Sequence, residues 1–155
     1  MSLEKVMTRR LVTVEPDTSL AEVKRIFDAK LFHHLLVVEN HQLVGIVSDR
    51  DLFKALSPNL GTASETRRDT ATLNKKVYQI MARHLWVLTP ANDIYDAINL
   101  INQQKISCLP VIDENRHPIG ILSWRDILRL LSEGKVKRQS QSRLANQPLS
   151  YDKDS

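Results

Sequence analysis

The sequence predicts an α+β fold in which one β-α-β-β-α unit is written twice. Three observations predict it. The run Gly45-Ile46-Val47-Ser48-Asp49-Arg50-Asp51-Leu52 returns 75 positions later as Gly120-Ile121-Leu122-Ser123-Trp124-Arg125-Asp126-Ile127. Met7-x-Arg9 returns as Met81-x-Arg83 at an offset of 74, and Leu35-Leu36-Val37-Val38 returns as Leu109-Pro110-Val111-Ile112 at the same offset. Between these landmarks the apolar spacing alternates between strand and helix periods. An internal repeat fixes the architecture before any other signal. Two apolar-faced helices on a three-stranded sheet make a two-layer unit.

Copy one opens after a short helical turn ending at Met7. Leu11-Val12-Thr13-Val14 is a β-prone run closed by Glu15-Pro16, because proline cannot continue a central strand. Ser19-x-x-Glu22 has the form of a capping box, followed by Leu20, Val23, Ile26, Phe27 and Leu31 at helical spacing. Leu35–Val38 is an apolar strand, Glu39-Asn40-His41-Gln42 a turn, and Leu43–Val47 the returning strand. A helix runs from Asp51 to Leu56. In copy two Leu85–Leu88 with Pro90 supplies the first strand, and Ile94, Ala97, Ile98 and Ile101 the first helix. The stretch from the turn Asp113-Glu114-Asn115-Arg116-His117-Pro118 to Gly120 is one residue longer than that from Glu39 to Gly45, which moves the later offset to 75.

The resulting division is residues 1–57 for copy one, 58–80 for a linker with a short lead-in helix over Asn74–Met81, and 81–134 for copy two. Pro58-Asn59-Leu60-Gly61 breaks structure in the linker, and Gly134 is a helix stop. Residues 135–155 are polar and without period, and are read as a disordered tail.

With 155 residues the chain is about one domain, so each copy holds only about 55 residues, too few to be comfortable alone. The copies are expected to pack on one another, and their seam is a natural ligand site. The lone Cys108 excludes an internal disulfide framework and fits a reducing compartment. No apolar run approaches the ~20 residues of a membrane span, and the first residues carry no signal-peptide pattern, so the expected location is cytoplasmic without membrane insertion. Net charge is +4, with basic residues gathered at Arg67, Arg68, Lys75 and Lys76 and again at Lys135, Lys137, Arg138 and Arg143. Such a balance permits an acidic partner without demanding one.

The repeated Ser-x-x-Asp at a strand-to-helix junction has chemistry of its own. A carboxylate presents two acceptor oxygens, which suits the vicinal hydroxyls of a ribose. Ser48 and Ser123 place a hydroxyl at a helix mouth, where unpaired N–H groups favour a phosphate. Arg50 and Arg125 sit between serine and aspartate, with a guanidinium suited to phosphate. The same spacing is also close to a capping box, which requires no ligand.

Taken together, these features resemble the CBS domain, named after cystathionine β-synthase, in its tandem (Bateman) arrangement. The resemblance covers about residues 1–134. It is carried by Val6-Met7-Thr8, Leu11–Val14 with Pro16, His34–Val38 and Gly45–Leu52, then by Ile80-Met81, Leu85–Leu88 with Pro90, Ser107–Asp113 and Gly120–Ile127. It implies a pseudo-twofold pair with two clefts for adenosine-containing ligands such as AMP, ADP, ATP or S-adenosylmethionine. It further implies association into a disk-shaped homodimer and a regulatory, non-enzymatic role in which binding shifts a partner enzyme or transporter. With no catalytic domain in the chain, the output is expected to lie in another protein.

On this resemblance Asp51 and Asp126 would hold ribose, Ser48 and Ser123 phosphate or ribose, and Arg50 and Arg125 phosphate. The base would lie against main chain and apolar atoms of Val12, Thr13 and Val14 with His33, His34 and Leu35. In copy two the corresponding atoms belong to Trp86, Val87 and Leu88 with Ser107, Cys108 and Leu109. Two departures stand out: Leu36 replaces the proline seen at Pro110, and Trp124 stands where copy one has Asp49. The first copy is therefore ranked ahead for a polyphosphate ligand.

Other constellations are weaker. Adjacent strand residues point to opposite faces, so His33 and His34 do not readily share a metal ion with His41. Cys108 reads as a small buried residue rather than a nucleophile. Four glycines supply no phosphate loop and no dinucleotide fingerprint, so no catalysis and no required cofactor are expected. Two alternatives remain: a ligand-free dimerisation scaffold whose Ser-x-x-Asp turns are only caps, and, ranked below it, nucleic-acid binding through the basic linker and tail.

Overall fold

A computed structural model describes residues 2–29, 32–134 and 149–152. The chain forms two compact units. The first is Val12–Arg83, and the second comprises the described residues of Met1–Leu11 and His84–Ser155.

In the first unit, strands β1 (Thr13–Val14), β2 (His34–Glu39) and β3 (Gln42–Ser48) form one sheet in that order, β1 parallel to β2 and β2 antiparallel to β3. Helices α1 (Leu20–Ala29) and α2 (Asp49–Ala55) belong to this unit. The predicted strand Leu11–Val14 shortens to two residues, because only Thr13 and Val14 find register partners, in Leu36 and Val37. Asn40 and His41 both adopt positive φ, as a two-residue primed hairpin turn requires. Val14, Leu20, Val23, Leu35, Val37, Val44, Val47 and Leu52 fill the core, with Val77 from the linker and Met81 from the start of copy two. Ser19 begins α1 with half of the expected box: its Oγ accepts the Glu22 amide at 3.3 Å, while the Glu22 carboxylate takes the Arg25 guanidinium.

The linker is more structured than its composition suggests. Helix α3 (Arg67–Ala71) is capped by Thr66, and Asp69 accepts bonds from Ser57 Oγ at 2.6 Å and the Thr66 amide at 2.8 Å. In place of the expected lead-in helix there are two 3-10 turns, Thr72–Asn74 and Val77–Gln79.

The second unit holds strands β4 (His84–Val87), β5 (Cys108–Ile112) and β6 (Pro118–Ser123), with helices α4 (Ile94–Gln104) and α5 (Trp124–Ser132). Strands β5 and β6 pair antiparallel, with a register shift between Val111 and Ile112 that repeats the shift between Val37 and Val38. Strand β4 joins β5 through one parallel bridge, where the Leu88 amide donates to the Pro110 carbonyl and the Ile112 amide to the Leu88 carbonyl, each at 2.9 Å. The expected three-strand sheet of copy two is thus two strand pairs tied at one point. The core combines Leu88, Ile94, Ala97, Leu100, Leu109, Val111 and Leu122 with Leu3, Val6 and Met7.

Two expectations change here. By packing, the chain ahead of Leu11 belongs with copy two: Thr8 and Ile121 exchange amide-to-carbonyl bonds at 2.9 and 3.0 Å. Ala82 makes the same exchange with Ile46, at 2.9 and 3.1 Å, in the first unit. Each lead-in segment therefore docks on the last strand of the other sequence copy. The second change concerns the tail. Leu149–Asp152 forms strand β7, antiparallel to β4, with Leu85 opposite Tyr151 and Val87 opposite Leu149. An edge strand offers unpaired backbone groups that another strand can satisfy, and β4 provides that edge. Residues 135–148 and 153–155, the rest of the expected disordered tail, lie outside the described residues.

Candidate functional site

In the first unit β3 hands over to α2 at Ser48. Ser48 Oγ accepts the Asp51 amide at 3.0 Å, and Asp51 Oδ2 accepts the Ser48 amide at 2.9 Å, a complete capping box. Asp51 is half-buried, and among the described residues no bond reaches its second oxygen, Oδ1. The strand register sets His34 opposite Ser48. The Asp49 amide donates to the His33 carbonyl at 3.0 Å, and His33 Nδ1 lies 2.9 Å from Asp49 Oδ2. Burial raises the Asp49 carboxyl, but bonds from His33 and the Arg50 amide, with the nearby His33 and His34 charges, outweigh it and leave it below its ordinary value. Arg50 is exposed at this mouth.

The copy-two site repeats the backbone and changes the side chains. Ser123 Oγ accepts the Asp126 amide at 3.3 Å, and Asp126 Oδ2 accepts the Ser123 amide at 2.8 Å and the Ser123 hydroxyl at 3.0 Å. Here the other oxygen is engaged as well, since Arg129 Nη2 donates to Asp126 Oδ1 at 3.2 Å. Asp126 is 9 % exposed. The Trp124 amide donates to the Ser107 carbonyl at 3.1 Å, matching the Asp49–His33 bond, and Cys108 stands opposite Ser123 as His34 does opposite Ser48. Trp124 is exposed, with the Arg125 guanidinium carbon 5.6 Å from its ring centroid, within cation–π range.

The segments expected to face a base divide into surface and core. Thr13 and His33 are exposed, and Val12 and His34 half-buried. Val14 is buried, and Leu35, Leu88 and Leu109 are wholly enclosed, so these four side chains serve the core. Leu88 also spends both main-chain groups on β5. Val87 is buried, and Trp86 is half-buried in edge-to-face contact with His84 at 5.5 Å. Burial pushes the Cys108 thiol up to about 12, which suits a packing role.

Sequence reasoning missed the His33–Asp49 pair and the Arg129 clamp. The clamp had a signal: Asp126 and Arg129 are three apart on a helix, whereas copy one has Lys54 at the corresponding place. Two surface hollows within the first unit lie elsewhere, one of about 420 Å³ along α1 by Lys24 and Asp28, the other of about 310 Å³ by Glu15 and Glu39. Neither touches a Ser-x-x-Asp turn.

Comparison with known proteins agrees with this geometry. The family model for the CBS domain matches residues 3–58 and 77–133. A CBS domain-containing protein of Dictyostelium discoideum is 32 % identical over 83 % of this chain and 90 % of its own length. Among solved structures, CBSX2 in complex with AMP has a TM-score of 0.71 at 28 % identity, covering 87 % of this chain and 98 % of that one. A CBS domain pair in complex with 5′-methylthioadenosine and S-adenosyl-L-methionine has a TM-score of 0.72 at 25 % identity, again covering 87 % and 98 %. Other curated relatives are longer; this chain spans 36 % of one Methanocaldococcus jannaschii protein and 24 % of the homoserine O-acetyltransferase of Methanococcoides burtonii. With the same motif, backbone bonds and strand bulge present in both halves, and the family model matched on each, this chain belongs to the CBS domain family as a tandem pair.

Proposed function

We propose that this protein is a non-catalytic regulatory module that binds an adenosine-containing nucleotide at its Ser-x-x-Asp turns, first at Ser48–Asp51. The carrying observation is Asp51 itself: one carboxylate oxygen is committed to the helix cap, and among the described residues no bond reaches the other. A ribose diol would take that oxygen, and Arg50 would neutralise phosphate at the mouth of α2. The base would lie along Thr13 and His33. AMP, bound by one similar structure, and S-adenosylmethionine, bound by another, support this choice of ligand class.

Isothermal titration with AMP, ATP and S-adenosylmethionine tests this on the wild type and on Asp51→Asn, which keeps an acceptor for the Ser48 amide. Charge-assisted bonds of about 1.5–3 kcal/mol make the expected loss on the order of tenfold to a hundredfold in affinity. Equal heats for the two proteins remove Asp51 from the site. The completeness of both capping boxes favours a second reading, a ligand-free scaffold; it expects no thermal shift with any adenosine compound.

We also infer a homodimer that signals to a separate enzyme or transporter. Phe53 on α2 is 66 % exposed, and Leu128, its counterpart on α5, is 52 % exposed with Leu131 beside it at 50 %. Apolar side chains bare at the same repeat position are what an interface would cover. Ligand binding would reach the partner only by favouring one arrangement of the pair. No helix among the described residues is long and apolar enough to cross a membrane. The buried free Cys108 fits a reducing, cytoplasmic setting.

A further inference from the structure

The two copies differ at the backbone edge where a base would lie. Leu88 gives both its main-chain groups to β5, and successive residues of a strand direct these groups to opposite edges. Leu85 and Val87 therefore face away from β5. The strand on that side is β7, which sets Tyr151 opposite Leu85 and Leu149 opposite Val87. In the first unit the residue matching Val87 is Thr13. Among the described residues β1 is the edge strand of its sheet, so nothing comparable pairs with Thr13 on that side.

A second difference points the same way. Asp126, the ribose candidate of copy two, has both carboxylate oxygens occupied, by the Ser123 cap and by Arg129. Among the described residues Asp51 has only the cap. Base edge and sugar acceptor are both taken in copy two by the chain's own groups, and among the described residues neither is taken in copy one.

We propose that the C-terminal strand Leu149–Asp152 is a built-in occupant of the second nucleotide site. It closes the β4 edge against an adenine base until it is displaced, so the protein takes one nucleotide readily and a second only when the tail lets go. This rests on the nucleotide-binding reading above and adds to it an order of filling and a device that sets it. Main-chain pairing along a sheet edge is a general mode of peptide capture, here used by a protein on itself. Because the strand is only four residues long, it is held weakly enough for a ligand or a partner to compete with it.

The full chain carrying Leu149→Pro and Tyr151→Pro tests this, since proline removes the two amides that face β4. Titration with AMP is expected to give one tight site in the wild type. In the variant a second site should appear, or tighten at least tenfold, while the first is unchanged; that unchanged first site also reports that the variant is folded. Hydrogen exchange at the Leu85 and Val87 amides should be slow in the wild type and at least tenfold faster in the variant. One AMP per chain in both proteins, two equal sites in the wild type, or exchange unaffected by the prolines would each overturn the proposal while leaving copy one as a nucleotide site. No AMP bound by either protein would overturn both readings together.

Discussion

Gly120 makes room for Met7. A Cβ on Gly120 would stand 2.8 Å from Met7 Cγ and closer still to its sulfur, and a Cβ on Gly45 would stand 2.6 Å from Met81 Sδ. The methionine before each repeat thus docks on the glycine of the other repeat's last strand, with the neighbouring Thr8–Ile121 and Ala82–Ile46 bridges fixing the register.

Gly120→Ala should therefore destabilise the protein by about 1–3 kcal/mol, through overpacking against a methionine that is itself buried. Met7→Ala should cost about 2–5 kcal/mol by leaving a cavity. The double variant should be more stable than the two losses added, because the small side chain at position 7 gives the new methyl its space. Urea unfolding of the four proteins checks this; strict additivity would mean that the two residues are not in contact.

Ser48→Ala should lose about 1 kcal/mol without any ligand, since it removes the acceptor for the Asp51 amide and half of the α2 capping box. Ser123→Ala should cost a similar amount at α5. Thermal unfolding in nucleotide-free buffer is the measurement, and unchanged stability for both would deny the caps any role.

The low Asp49 carboxyl makes a statement about acid. The folded protein holds this group ionised more firmly than the unfolded chain, where an aspartate titrates near ~3.9. Its contribution is complete above that value and is lost as pH falls through the lower folded value. Asp49→Asn should accordingly narrow its stability gap from the wild type as the medium is made more acidic below pH ~4. A gap constant from pH 7 to pH 3 counts against the His33–Asp49 bond.

Cys108 should react slowly with iodoacetamide in the native protein and fast in urea, because burial keeps the thiol protonated. The sign at high pH follows from the raised value. The unfolded thiol ionises near ~8.5 and the folded one near 12, so this group's contribution is intact below the first value and declines between the two. Cys108→Ser should flatten the alkaline limb of the stability curve. Fast native labelling at pH 8 would place the thiol at the surface.

Leu128→Glu should leave a folded chain that no longer self-associates, since the side chain lies half-exposed on α5 and contributes little to the core of its own unit. Sedimentation equilibrium on the wild type and the variant reads this directly. A monomeric wild type at micromolar concentration would end the homodimer reading.

Much of the architecture was legible along the chain. The β-α-β-β-α order in each copy, the hairpin at Asn40-His41 and the helix start at each Ser-x-x-Asp all follow from near-neighbour rules of period, turn chemistry and capping. Helix α3 was hidden because five residues give no readable period, and its cap at Thr66 with Asp69 was the only sign. The candidate site was half legible. Its serines and aspartates were marked by repetition, but Arg129 and the His33–Asp49 contact depend on which rotamers meet across a turn.

Tertiary structure alone decided two matters. Met7 and Met81 are equivalent by sequence, as are Gly45 and Gly120, so either methionine suits either glycine and the motifs cannot say which pairs with which. Long-range strand bridges make that choice, because only a folded sheet offers the edge on which a lead-in segment can bond. The same holds for Leu149–Asp152: four residues carry too little pattern to declare a strand, and it is the bare edge of β4 that turns them into one.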